Sequence, residues 1–380
     1  PGWAGSSWYF YRYMDATNTN SFVGKEAAAY WKEVDLYLGG SEHATGHLLY
    51  SRFWQKFLFD LDLLPVEDYA KKLINQGMIL GTSAFVYRKP GTQTYLSKEL
   101  IQEADQTEPI RVDVGFVNSA DELDIECVRR WQPQFEKATF KLHNGVYKVG
   151  REVEKMSKSK YNVVNPDAIC EQYGADTLRM YEMFWGPIEQ AKPWNTAGIS
   201  GVHNFLKKYW RLFYDGEQSL VHSEEPSKEE LKILHETIKK VTHDIEHFSF
   251  NTCVSALMIC VNELTSLKSH SSEILSPLTL LLSPFAPHLA SEMWEQLGNK
   301  ATIDHVDFPL ANESYLIQDT KNYPVSFNGK MRFTLELSLD LDQAAIQEAV
   351  LQDSRALEYL DGKTPKKWIV VPNKIINIVY

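Results

Sequence analysis

The chain has 380 residues, 44% hydrophobic and 23% charged, the proportions of a globular protein with enough length for two to four domains. With 50 acidic against 39 basic side chains the net charge is −11, the wrong sign for a protein that coats nucleic acid, so any RNA contact must come from local basic patches. Cys127, Cys170, Cys253 and Cys260 are scattered without a Cys-x-x-Cys pair, which argues against zinc and for a reducing cytoplasm. No run of about 18 apolar residues predicts a membrane span, and the opening at Pro1-Gly2-Trp3 suggests a piece of a longer polypeptide.

Ser6-Ser7-Trp8-Tyr9-Phe10-Tyr11-Arg12-Tyr13 is dense in aromatic rings. Val34-Asp35-Leu36-Tyr37-Leu38 reads as a short buried strand running into Gly39-Gly40-Ser41-Glu42-His43, with a helix predicted from His43 to Phe59. A strand, paired glycines and a helix start let backbone approach a nucleotide closely. His43 and His47 are four residues apart and share one helix face. The metalloprotease pattern has a different register and no third ligand is evident, so no metal is predicted. The spacing by itself fits two histidines bonded within a core as well as two lining a pocket.

Over residues 83–150, Phe85-Val86-Tyr87, Arg111–Val114, Phe116-Val117 and Val146–Val149 read as short strands separated by polar turns. Next comes Lys155-Met156-Ser157-Lys158-Ser159-Lys160, a compact cationic loop. Ammonium groups on a movable loop suit a pyrophosphate leaving group, because they can follow charge as it develops on a transferred phosphoryl. Asn165-Pro166-Asp167 ends the loop and starts a helix, with proline and an acidic residue in its first turn.

From Asn165 the hydrophobic period becomes helical, with amphipathic segments over residues 191–297 and a last helix opening at Pro284–Pro287. Lys207, Lys208 and Arg211 fit either a solvated face or a phosphate-facing stripe. The tail alternates strand patterns (Tyr323–Phe327, Phe333–Leu339, Trp368–Val371, Ile375–Val379) with helices over Asp342–Ala349 and Ser354–Tyr359. Asn328-Gly329 is a hairpin signal. Lys363, Lys366, Lys367 and Lys374 gather near its end, a composition suited to sugar-phosphate contacts.

Lys155 to Ser159 matches the lysine signature of class I aminoacyl-tRNA synthetases. Together with Gly2–Tyr9 and Gly39–Trp54, in that order, the chain resembles the bacterial-type leucyl-tRNA synthetases. The resemblance implies a leucine pocket at Ser6, Tyr9, His43 and His47. It implies an ATP and adenylate site at Gly39, Gly40, Glu42, Gln76, Ile79, Met156 and Lys158, with Lys155 and Lys158 catalytic. It also implies tRNA contacts by the four tail lysines, ATP as substrate with magnesium held through its phosphates, and tRNA-Leu, leucine and the missing N-terminal half as partners. The His-x-Gly-His motif of the class and the editing domain are absent, so the chain is expected to be inactive alone.

The fold class expected is multidomain α/β plus all-α. Residues 1–82 would be a partial Rossmann-like core, 83–150 an α+β insertion, and 151–190 the lysine loop with connecting helices. Residues 191–310 would form a helical anticodon-binding-type bundle and 321–380 a small α/β domain. A non-catalytic RNA-binding or scaffold remnant is the rival reading; an intact lysine loop beside an intact pocket favours the enzyme.

Overall fold

The computed structural model describes residues 2–316, 320–339, 341–371 and 374–380. They form two compact units, residues 1–226 with 237–309, and residues 227–236 with 310–380.

The first unit begins with an aromatic core. Phe10, Tyr11, Tyr37, Leu58 and Tyr69 are buried together, with Phe10 and Tyr69 stacked at 4.9 Å. Beside it the strands Tyr37–Gly40 and Leu73–Gln76 pair in parallel, Gly40 opposite Gln76. The strand expected over Val34–Leu38 therefore starts three residues later. Val34 makes a bridge to Ala70, and Leu36 and Leu38 are exposed; among the described residues this sheet has two strands.

The ten-residue strand Ile79–Arg88 is the spine of a six-stranded sheet. Its first half pairs with Gly150–Lys155, Leu80 opposite Lys155, and its second half with Glu108–Val112 and Thr94–Leu96 of the inserted module. Ala84, Val86, Tyr95, Val128, Phe135 and Tyr147 form that module's core. Two expected strands are absent here. Asp113 accepts a hydrogen bond from Gly115 N–H and turns the chain into the 3-10 turn Val114–Phe116, so Phe116-Val117 is not extended. Val146–Val149 makes isolated bridges, and the regular strand starts at Gly150.

The helices follow. Pro166–Tyr173 starts where expected, with Asn165 Oδ1 accepting from Asp167 N–H and Pro166 at its first position. Ile199–Trp210, Phe250–Leu267 and Pro287–Gln296 bury one face each, and Ser272–Leu282 is buried all round over Leu278–Leu282. Asp176 accepts from the backbone of His288 and Leu289 and satisfies the start of the last of these. Among the described residues one helix, Phe250–Leu267, is long and apolar enough to cross a membrane, a feature the sequence reading missed. Here it is a core helix. It buries Val254, Leu257, Val261 and Leu264, and its outward Asn262 bonds Lys208 at 2.7 Å.

In the second unit a four-stranded sheet has Thr320–Phe327 between Lys330–Ser338 and Ile375–Val379, with Lys367–Val371 at the far edge. Helices Gln343–Gln352 and Ser354–Leu360 supply Ile346, Val350 and Leu360 to its core. Asn328 and Gly329 both have positive φ, as the hairpin turn they form requires.

Candidate active site

Two pairings assemble a cleft. The parallel ladder sets Gly40 against Gln76, and Gly77 and Met78 lead straight into the spine strand, whose antiparallel partner delivers Lys155. Gly40, Glu42, Gln76, Ile79, Lys155 and Met156 consequently line one cleft of about 280 Å³. Gly39 stands one position back in the same strand, opposite Asn75. Lys158 lies further along the loop, in the exposed 3-10 turn Lys158–Lys160, outside the cleft lining. The glycines have a steric purpose. A Cβ on Gly40 would meet the Glu42 carboxylate at 2.0 Å, and one on Gly77 would meet the Gln190 backbone at 2.0 Å.

The loop is tied down from beneath. Asn162, 1% exposed, accepts from Ser157 N–H at 2.9 Å and donates to the Lys155 carbonyl at 3.3 Å. Its own backbone packs where a Cβ on Gly81 would stand, 2.6 Å away. Glu154, just before the loop, takes hydrogen bonds from Lys160, Ser83 and Arg111, which hold its carboxyl down to about 2. The inserted module touches the loop's end, with Trp131 edge-on to Tyr161 at 4.7 Å and Val114 N–H donating to the Tyr161 carbonyl.

Beside the cleft, the predicted helix from His43 begins as a 3-10 turn, Ser41–His43, followed by a π-helical turn, Ala44–Leu48; the α-helix proper is Leu49–Asp60. Such π turns concentrate at functional sites. Tyr9 and His47 come together, ring centroids 6.2 Å apart, through Tyr37, whose hydroxyl is 3.0 Å from Tyr9 Oη and 2.6 Å from His47 Nε2. Burial, then neighbouring His43, lowers the His47 pKa. His43 lies exposed beside Glu42 at 3.7 Å, and Ser6 turns back to the Trp3 carbonyl at 3.2 Å. Trp3 itself lies over Gly46, where a Cβ would meet its ring at 2.8 Å.

Sequence reasoning passed over Tyr37, Gly46 and Asn162. The signal for Tyr37 was its place as the one aromatic residue in the strand before the paired glycines. Among the described residues no group of three or more His, Cys, Asp or Glu side chains could hold a metal ion.

The family model described as the anticodon-binding domain of tRNA ligase matches residues 227–348, and that of class I tRNA synthetases (I, L, M and V) matches residues 147–192. The chain is 64% identical over its whole length to the leucine–tRNA ligase of Christiangramia forsetii, and 63% to that of Flavobacterium johnsoniae. The chain belongs to the leucine–tRNA ligase family. It covers 39% and 40% of those two relatives, so it spans well under half of their length. Among solved structures it resembles the LeuRS of a ternary complex, Agrobacterium radiobacter K84 agnB2 LeuRS–tRNA–LeuAMS. That match has a TM-score of 0.61 at 27% identity, over 98% of this chain and 42% of that one.

The core of this family member carries apolar side chains on the outside. In the helix Leu49–Asp60, Ser51 and Gln55 are buried while Leu49 is 61% and Phe53 66% exposed, with Phe57 on the same face. Tyr13, Tyr30, Trp31 and Leu73 are exposed on neighbouring elements. In the tail, the ladder between Lys367–Val371 and Ile375–Val379 separates the four lysines. Lys366 N–H bonds the Val379 carbonyl at one end, where Lys363 Nζ lies 5.0 Å from the Tyr380 ring, whereas Lys374 bonds Val371 at the other.

Proposed function

We propose that this chain carries the leucine- and adenylate-side part of a leucine–tRNA ligase that works in the cytoplasm. The observation that supports this best is the cleft itself, where Gly40, Glu42, Gln76, Ile79, Lys155 and Met156 meet beside the group formed by Tyr9, Tyr37 and His47. In the reaction, leucine's carboxylate attacks the α-phosphate of ATP in line and pyrophosphate leaves. The 3′-terminal ribose of tRNA-Leu then takes the leucyl group. The chain's residues act by placement and charge. Glu42 receives the ribose hydroxyls, Gln76 and Ile79 flank the adenine, and Lys155 and Lys158 follow charge onto the departing phosphates. Ser6, Tyr9, His43 and His47 enclose leucine. Magnesium would be held through the phosphates of ATP rather than by a cluster of carboxylates among this chain's described residues, and would neutralise phosphate charge there.

The outward apolar stripe of Leu49, Phe53 and Phe57 supports completion of the core by polypeptide outside this chain, since exposed aliphatic and aromatic rows of this kind mark contact surfaces. We assign residues 83–150 to an insertion that steadies the lysine loop, residues 191–310 to a helical bundle, and residues 321–380 to tRNA contacts.

The test is leucine-dependent ATP–pyrophosphate exchange. The isolated chain should be inactive, and the polypeptide completed with the rest of a close relative should exchange with leucine. Exchange by the isolated chain, or a completed enzyme that activates another amino acid in preference, refutes the proposal.

A further inference from the structure

The Tyr37 hydroxyl stands between two groups of the pocket, 3.0 Å from Tyr9 Oη and 2.6 Å from His47 Nε2. Its ring is 7% exposed and nearly parallel to the imidazole, at 18° and 5.9 Å between centroids. Phe10 and Tyr69 meet it edge-on at 6.0 and 5.1 Å, so the hydroxyl cannot swing away without disturbing the aromatic core.

The direction of the bond follows from its chemistry. A phenol is a better donor than a neutral imidazole, and an imidazole nitrogen is the better acceptor. A separation of 2.6 Å belongs to the O–H range and is short for N–H. Tyr37 O–H therefore donates to Nε2, Tyr9 O–H donates to Tyr37 Oη, and the imidazole proton sits on Nδ1; Ser51 Oγ lies 3.4 Å from Nδ1 and 3.5 Å from Nε2 and does not choose between them.

The groups facing His47 are the Tyr9 and Tyr37 hydroxyls, the Ser51 hydroxyl and the His43 imidazole, with Glu42 beyond His43 and Tyr69 behind Tyr37. Among the described residues no carboxylate pairs directly with His47. Burial, and then His43, lowers the His47 pKa, and burial raises that of the Tyr37 hydroxyl.

We infer that Tyr37 is a positioning residue that fixes His47 as the neutral Nδ1–H imidazole. Through it, Tyr37 sets the polarity of the wall presented to a branched, apolar amino-acid side chain. This rests on the leucine reading above. An imidazolium at that wall would set a partly desolvated charge against aliphatic groups, which is costly, and the opposite tautomer would exchange a donor for an acceptor.

Nitrogen-15 imidazole spectra of the chain, with His47 assigned by its loss in His47→Gln, test the inference. The wild type should show Nδ1–H at neutral pH. Tyr37→Phe should shift the population toward Nε2–H and raise the titration midpoint by roughly half a unit to one unit. Tyr9→Phe, one bond removed, should keep the tautomer. A wild type that is mainly Nε2–H overturns the inference without any variant, so a misfolded substitution cannot shelter it. So does a folded Tyr37→Phe with an unchanged tautomer and midpoint. In the completed polypeptide, Tyr37→Phe should also raise the leucine KM and weaken rejection of isoleucine. If His47 shifts but neither kinetic change occurs, the leucine reading of this pocket falls while the hydrogen-bond assignment stands.

Discussion

The Glu42 carboxylate occupies the space where a side chain on Gly40 would begin, with Oε2 2.0 Å from the Cβ that residue 40 lacks. Gly40 has φ −70, which any residue adopts, so its requirement is spatial. The clash falls on the end of a flexible side chain, so Gly40→Ala should fold normally and displace the carboxylate. Losing one charged hydrogen-bonding group from the cleft should weaken adenosine-nucleotide binding by about 1.5–3 kcal/mol. Calorimetric titration with ATP, alongside circular dichroism, checks it. Unchanged affinity would show that Glu42 does not face the nucleotide.

Asn162 holds the start of the lysine loop at two points, so Asn162→Ala should free the loop while sparing the helices. It removes the hydrogen bonds to Ser157 N–H and the Lys155 carbonyl, each worth about 0.5–1.5 kcal/mol net where water can reach the freed group. Hydrogen exchange at the Ser157 amide should accelerate, and that of the Pro166–Tyr173 helix should not. Equal acceleration in both would mean the clamp supports the whole region.

The loop and the helix after it were legible because their signals are local: a lysine signature, then an asparagine cap and a first-turn proline. The strand feeding the loop was not. Gly150-Arg151-Glu152-Val153-Glu154-Lys155 holds one aliphatic side chain, and it is extended because Ile79–Arg88 pairs with it. The helix Leu49–Asp60 misleads in the opposite sense, since Ser51 and Gln55 point inward and Leu49 and Phe53 outward. Hydrophobic period presumes that apolar faces turn in, and here that face is exposed. Asn162 was invisible because its partners are backbone atoms five and seven residues back, which no side-chain pattern encodes.

Glu154 gives a pH dependence with a definite sign. Its hydrogen bonds from Lys160, Ser83 and Arg111 lower its folded pKa to about 2, below the roughly 4.3 of a free glutamate. The contribution is therefore complete above the unfolded value and is lost as pH falls from about 4.5 to 2. The difference in Tm between the wild type and Glu154→Gln should be largest at neutral pH and shrink through that window. A constant difference would mean the carboxylate is not held by these cations.

The tail should behave as two separate sites. Lys363, Lys366 and Lys367 lie at one end of the strand ladder and Lys374 at the other. Substituting the three together in the completed enzyme should flatten the salt dependence of tRNA affinity, by up to about one unit of log–log slope for each phosphate that no longer meets a lysine. Lys374→Ala should add to that change independently. Unaltered slopes with normal charging would make the tail a structural support.

The most direct measurement separates the two sides of the site by steady-state pyrophosphate exchange in the completed polypeptide, comparing Lys158→Ala with His47→Ala. If Lys158 meets charge that develops only in the transition state, as proposed, its loss should lower kcat by about 10²–10³ while leaving the leucine KM nearly unchanged. His47 borders the amino-acid side, so its loss should raise the leucine KM and admit isoleucine or methionine, within the roughly 1–3 kcal/mol that a methylene-scale difference allows. The opposite pattern, with a raised leucine KM and intact kcat for Lys158→Ala and unaltered selectivity for His47→Ala, would contradict the assignment of both the lysine loop and the leucine pocket.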